Sequence, residues 1–161
     1  MELKMTCYIY KNSAAVVCNK ENEALQQYIE LNALKDVNGI VDPNSTKINW
    51  NKRSIARLIA KAKKGDCIVA FNGTSLACSV SQIIEILKAA AKANINLHFV
   101  KHSIQLDNQT SQINTQTVLR LLGLIESDFI SERTTQALAK RKAAGLALGR
   151  PVGSRNKNTK H

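Results

Sequence analysis

The sequence predicts an α/β fold: an open, mostly parallel sheet with helices on both faces, followed by a long projecting C-terminal helix. Three observations carry that expectation. Short, apolar, β-prone runs alternate with amphipathic helical stretches through the first two thirds of the chain. One run, residues 66–71 (Asp-Cys-Ile-Val-Ala-Phe), is apolar almost throughout, as a strand covered on both faces must be. From residue 113 to residue 148 there is no proline, and apolar residues recur at helical spacing.

Taken in order, residues 5–10 (Met-Thr-Cys-Tyr-Ile-Tyr) read as a short buried strand. Residues 21–34 place Ala24, Leu25, Tyr28, Leu31 and Leu34 three and four apart, on one face of a helix. Residues 37–41 form a second strand, and Asp42-Pro43-Asn44-Ser45 breaks regular structure. Residues 51–64 read as one amphipathic helix. Ile55, Leu58, Ile59 and Ala62 face inward, Lys52, Arg53, Lys61, Lys63 and Lys64 face outward, and Gly65 stops it.

After the central strand, Asn72-Gly73-Thr74 signals a turn, and Ser79 or Ser81 caps a helix whose buried stripe is Ile83, Ile84, Ile86, Leu87 and Ala90. A strand at 96–100 and a short segment at 104–106 follow. In the last helix, Val118, Leu121, Leu122, Ile125, Phe129 and Ile130 form a stripe that thins to Ala137, Leu138, Ala144 and Leu146. At about 1.5 Å per residue it would run about 50 Å, longer than a compact domain of this size, so its second half is expected to project. Pro151 ends any helix there, and residues 149–161 hold little to bury. The organisation expected is an α/β domain at 1–112, a long helix at 113–148 and a basic, disordered tail at 149–161.

Composition narrows the function. The chain has 161 residues and a net charge of +11, and its 44% hydrophobic content suffices for a core. No apolar run approaches the roughly 18 residues of a membrane span, and the N-terminus lacks the apolar stretch of a secretory signal. A soluble, cytoplasmic protein with no membrane partner is expected. Cys7, Cys18, Cys67 and Cys78 show no C-x-x-C spacing, and His98, His102 and His161 do not cluster with them. Neither a metal site nor a cofactor is expected. Trp50 reads as a packing anchor, and Lys61, Lys63 and Lys64 as a solvated helix face.

From residue 133 onward there are eight basic residues and no acidic one, against 15 basic and 12 acidic in residues 1–132. A nearly neutral body with a cationic end points to a polyanion, nucleic acid before membrane. Arg133, Lys140, Arg141 and Lys142 on the helix, with Arg155 and Lys157 in the tail, are the candidate DNA contacts.

Three anchors in order resemble the serine recombinases, the resolvase and invertase family. They are Gly65-Asp66 with the apolar strand, Leu76 and Ser79 behind it; residues 128–138, centred on Ile130-Ser131-Glu132-Arg133-Thr134; and Gly149-Arg150-Pro151. The resemblance implies a catalytic-domain fold, dimers or tetramers formed through the long helix, and a prokaryotic, nucleoid-associated setting. It also implies a serine that attacks a DNA phosphate while arginines stabilise the developing charge. Two of those arginine positions fall on Ser75 and Cys78, and a third on Lys52, with Arg53 beside it. The arginine-x-serine pair near the N-terminus falls on Tyr10 and Asn12 in one register and on Lys11 and Ser13 in another, so Ser13 is the candidate nucleophile.

The resemblance thus implies a catalytic domain with a degenerate site. Asp66 is read as structural. Only ten residues follow Pro151, so the family's major-groove helix-turn-helix is expected to be missing. Gly149-Arg150-Pro151 with Arg155 and Lys157 resembles an AT-hook, which implies entry into the narrow minor groove of A·T-rich duplex. The reading is a non-catalytic DNA-binding regulator or architectural factor on a mobile element. The alternatives are an active recombinase or invertase using Ser13, and an inert subunit that modulates an active recombinase.

Overall fold

A computed structural model describes residues 5–12, 19–107 and 115–146. They form strand β1 (Cys7–Asn12), helix α1 (Asn19–Leu31), β2 (Val37–Asp42), a 3₁₀ turn (Trp50–Lys52), α2 (Ser54–Lys61), β3 (Cys67–Ala70), α3 (Gly73–Leu76), α4 (Val80–Lys92), β4 (Asn96–Phe99), β5 (Ile104–Leu106) and α5 (Thr115–Ala143). The five strands lie in the order β2-β1-β3-β4-β5. The first four are parallel, and β5 returns antiparallel to β4. The open, mostly parallel sheet is therefore as expected.

Alternation along β3 divides the core. Cys67 and Val69 point to one face, where Leu25 of α1 packs with Cys7 and Ile9. Ile68 and Ala70 point to the other, against Ile55, Leu58 and Ile59 of α2, Ile83, Ile86 and Ala90 of α4, and Leu121, Ile125 and Phe129 of α5. All four β3 residues are buried, which explains the unbroken apolar run.

Several boundaries moved for physical reasons. β1 runs two residues further than the apolar run, because Lys11 and Asn12 continue the ladder opposite Val41 and Asp42. α1 stops at Leu31, where Ala33 turns left-handed (φ 46°) and the Leu34 N–H bonds back to Ile29. The Asn72-Gly73-Thr74 turn opens one further helical turn, α3, capped by Asn72 Oδ1 on the Ser75 N–H at 3.1 Å. Ser79 caps α4, its Oγ accepting from the Gln82 N–H at 3.4 Å.

The largest departure concerns the helix expected at 51–64. It is broken at Arg53, whose extended backbone (φ −105°, ψ 170°) separates the 3₁₀ turn from α2. Arg53, expected on the outward face, is 0% exposed. At the other end, Asp66 is structural as read: its carboxylate accepts from the N–H groups of Thr6 (3.1 Å) and Lys63 (2.8 Å). Trp50 anchors the 3₁₀ turn to α4, its Nε1–H donating to Glu85 Oε2 at 2.6 Å.

The chain divides into two units, Met1–Phe129 and Ile130–His161, with the boundary inside α5. In the first, Leu121, Ile125 and Phe129 are buried, and the Asp128 carboxylate binds Lys101 Nζ (2.5 Å) and His102 Nε2 (2.8 Å) in the turn between β4 and β5. In the second, every described side chain is exposed, Ile130 included at 56%. The helix ends at Ala143, short of the expected 148, because Gly145 takes a left-handed backbone (φ 69°) and the Leu146 N–H returns to the Arg141 carbonyl. Among the described residues no helix is long and apolar enough to cross a membrane.

Gly73 marks a close approach. A Cβ there would lie 2.7 Å from Ile125 Cγ2, inside the core. Gly73→Ala is therefore expected to destabilise the fold by about 1–3 kcal/mol in urea unfolding, and Ile125→Ala, which removes Cγ1, Cγ2 and Cδ1, is expected to make the double variant less destabilised than the sum of the two single ones.

Candidate active site

The chain runs from β1 outward to β2 and then back across to β3, so the carboxyl ends of β1 and β3 diverge. In open α/β sheets this switch point forms the ligand crevice. Here it holds a cleft of about 290 Å³, solvent at its mouth included, lined by Tyr10, Lys11, Asn12, Glu21, Asn22, Leu25, Phe71 and Ser75. The sequence-derived positions Tyr10, Asn12 and Ser75 thus converge on one place.

Their side chains are turned to structural work. Asn12 is buried, and its Nδ2 donates to the Asn44 carbonyl at 2.9 Å, closing the loop after β2. Lys11 Nζ donates to Asn22 Oδ1 at 2.7 Å, on the first turns of α1. Ser75 Oγ donates to the Asn72 carbonyl at 2.7 Å. Cys78, half-buried, accepts from Gln82 Nε2 at 3.7 Å. Lys52 is exposed on the 3₁₀ turn. Ser13 lies outside the described residues, as do Gly149, Arg150, Pro151, Arg155 and Lys157. Arg133, Lys140, Arg141 and Lys142 are all exposed on α5.

The residue that the outward-face reading misplaced is the centre of the site. Arg53 Nε donates to Asp42 Oδ2 at 3.1 Å, Nη1 to the Leu76 carbonyl at 2.5 Å, and Nη2 to Tyr10 Oη at 3.1 Å and the Ser75 carbonyl at 3.4 Å. Tyr10 in turn donates its hydroxyl to Asp42 Oδ2. One guanidinium therefore ties β1, β2 and α3 together from the foot of α2. A signal for it existed in Asp42: a carboxylate closing an apolar strand needs a buried partner. Helical periodicity alone could not name Arg53 as that partner.

Titration follows from this packing. Burial, then the hydrogen bond to Asp42, push the Tyr10 phenol far above its ordinary range, so it remains a neutral donor. Burial would raise the Asp42 carboxyl. The hydrogen bonds from Tyr10 and Asn44 and the charge of Arg53 outweigh it, leaving the carboxyl below its ordinary 3.8. Behind the cleft, Cys7 and Cys67 sit side by side on β1 and β3, fully buried, and Cys67 is held as the thiol by its hydrogen bond to Cys7 and by burial.

Chemically, the cleft is poor in positive charge. Lys11 is the cation among its lining residues, and Glu21 stands beside it. Arg53 lies just beneath, but it is wholly enclosed by protein acceptors. A phosphate entering this cleft would meet no free guanidinium among the described residues.

The sheet order, the helices on both faces and a cleft at the switch point define a doubly wound α/β domain. Residues 15–147 match the family model described as Resolvase, N terminal domain, and the chain belongs to the resolvase family, as a homologue of the serine recombinase catalytic domain. The match begins beyond β1 and Ser13. The fold is also similar to the crystal structure of a resolvase family site-specific recombinase from Streptococcus pneumoniae, at 14% identity and a TM-score of 0.52, over 87% of this chain and 99% of that one. No curated protein matches the chain.

Breaking the buried pair tests its weight. Arg53→Met strands the Asp42 carboxylate and is expected to cost about 3–5 kcal/mol in chemical denaturation. Because the folded carboxyl titrates below its ordinary value, its contribution is full above about pH 4 and is lost as pH falls through the folded value. Asp42→Asn is thus expected to flatten the acid limb of the stability profile, which a urea series from pH 2.5 to 7 would register.

Proposed function

We propose that this member of the resolvase family holds duplex DNA without cutting it, as a dimeric or tetrameric regulator or architectural factor on a mobile element. The observation that carries the reading is the state of Arg53. The guanidinium at the foot of the cleft is consumed by Asp42, Tyr10 and the carbonyls of Ser75 and Leu76. Ser75 and Cys78 supply no charge where the family resemblance would put arginines. Each missing charge-stabilising donor costs a phosphoryl or acyl transfer typically ~10² to 10³ in rate.

Support for DNA binding comes from the C-terminal unit. Arg133, Lys140, Arg141 and Lys142 are exposed there, and residues 149–161 carry Arg150, Arg155 and Lys157 around Pro151. In this reading the helix contacts backbone phosphates, and Gly149-Arg150-Pro151 enters the minor groove of A·T-rich duplex. Ile130 and Leu138, exposed and eight residues apart, a little over two helical turns, offer apolar surface for helix pairing. Pairing doubles the contacts, so two weak tails combine into useful affinity.

The C-terminal segments of a dimer are expected to neutralise roughly six to eight phosphates, contributing a slope of roughly −5 to −7 to log K against log salt. An anisotropy titration on A·T-rich duplex measures this, and a flat salt response contradicts it. Incubation with supercoiled DNA carrying the bound site is expected to yield no covalent protein–DNA adduct. An adduct that disappears in Ser13→Ala would establish the competing reading, an active recombinase.

A further inference from the structure

The charge of the first unit is far from even once assigned to elements. Residues 43–95 carry nine basic side chains and two acidic ones. Residues 1–42 carry four basic and six acidic, and residues 96–132 two basic and four acidic. The near-neutral total of the body therefore conceals a block of net +7, and that block is the α2/α4 layer on one face of the sheet.

Within the layer the cations gather at one end. Helices α2 and α4 run opposite to the strands they join, so both end at the amino edge of the sheet, away from the cleft. Lys61 lies in the last turn of α2, and Lys63 and Lys64 follow it. Lys92 lies in the last turn of α4, with Lys88 one turn earlier on the same side. The two chain ends are bonded together: the Gly65 N–H donates to the Asn94 carbonyl at 2.9 Å, and the Asn96 N–H to the Asp66 carbonyl at 2.8 Å. All five lysines are exposed, and no ion pair joins any of them to another described residue.

The bland account is that these lysines balance helix dipoles. Two helix C-termini present about −0.5 charge each, and Asp66 at the turn adds one more, so about −2 in all faces five ammonium groups. Roughly three positive charges remain without a purpose inside the fold. The other acid of the block, Glu85, is engaged by the Trp50 indole.

The surroundings select the partner. A membrane-surface site places several large apolar side chains among its cations; among the described residues 54–95 none is an exposed large hydrophobic, and at the amino edge the exposed ones are Met5 before β1 and Leu31 at the end of α1. Single-stranded nucleic acid needs aromatic stacking platforms; Trp50 is half-buried and anchored to Glu85. Compact, unpaired ammonium groups on helix ends suit the regular phosphate backbone of a duplex.

We propose that the amino edge of the α2/α4 layer, formed by Lys61, Lys63, Lys64, Lys88 and Lys92, is a second binding surface for duplex DNA, separate from the C-terminal segment. The proposal rests on the DNA-binding reading for the identity of the polyanion, and on the placement of the five lysines for the surface.

The test uses the full chain in three forms: one with the five lysines changed to Gln, one with the C-terminal cations Arg133, Lys140, Arg141, Lys142, Arg150, Arg155, Lys157 and Lys160 changed to Gln, and one with both sets. Each is titrated by anisotropy onto a 30-base-pair duplex from about 50 to 200 mM salt, alongside vesicles of anionic phospholipid. Removing the lysines is expected to make the salt slope shallower by roughly 3 to 4 per chain, at about 0.9 per lost phosphate contact. The same five positions changed to Arg are expected to keep the slope, which separates charge from any effect on folding. The C-terminal variant should retain duplex binding that vanishes only in the combined form. A five-lysine variant with the wild-type slope overturns the surface and leaves the C-terminal reading standing. A C-terminal variant that binds like wild type, beside a five-lysine variant that does not bind, does the reverse. Retention on vesicles at a salt concentration that releases the duplex also overturns the proposal.

Discussion

The buried ion pair of Arg53 with Asp42 is the constraint around which the site end of this molecule is arranged. Taking two charges out of water costs several kcal/mol per ion, and only complete hydrogen bonding offsets that cost. The structure supplies it: Nε, Nη1 and Nη2 of Arg53 all find acceptors, and the Asp42 carboxylate also accepts from Tyr10 and from the Asn44 N–H. The backbone follows. Arg53 leaves helical geometry so that its side chain can turn inward, which splits the basic amphipathic stretch into a 3₁₀ turn and α2. The carbonyls of Ser75 and Leu76 are drawn to the same guanidinium, and this holds α3 against the end of β1.

That arrangement has a functional reading. Charge stabilisation of a phosphoryl transfer requires donors aimed at the reacting oxygens in a site ready to receive them. Here the guanidinium nearest the cleft is aimed at protein, and neither Ser75 nor Cys78 can carry a positive charge. The positive charge that remains lies elsewhere, on α5 and on the outer ends of α2 and α4. The proposal that this family member holds DNA rests on where its charge is exposed and where it is spent.

Much of the fold was legible because it rests on local periodicity. The apolar run of β3 and the i, i+3, i+4 stripe of α4 with Ser79 as its cap follow from short-range patterns, whereas the antiparallel direction of the 104–106 segment shows only in its pairing with β4. Arg53 was not legible, because its place depends on Asp42, eleven residues earlier at the end of β2. On a helical wheel it shares the polar face with Lys52, and nothing in the local pattern separates a solvated arginine from a buried one. The end of α5 turned on a single backbone conformation at Gly145, where the sequence shows a weak point but not which of its two distal glycines ends the helix. The uneven charge of the body was present in the sequence too, but the total over residues 1–132 averaged it away. Only the assignment of residues 43–95 to one layer made it visible.

The central claim is that Arg53 belongs to the fold and not to a bound phosphate. Side-chain NMR of the arginine Nε–H groups, recorded with and without duplex DNA, addresses it directly. The account predicts an Arg53 Nε–H that exchanges slowly and keeps its shift when DNA is added, while the Arg133 and Arg141 signals move. An Arg53 resonance that shifts on DNA binding and loses its protection would contradict the account, since it would place that guanidinium at a phosphate.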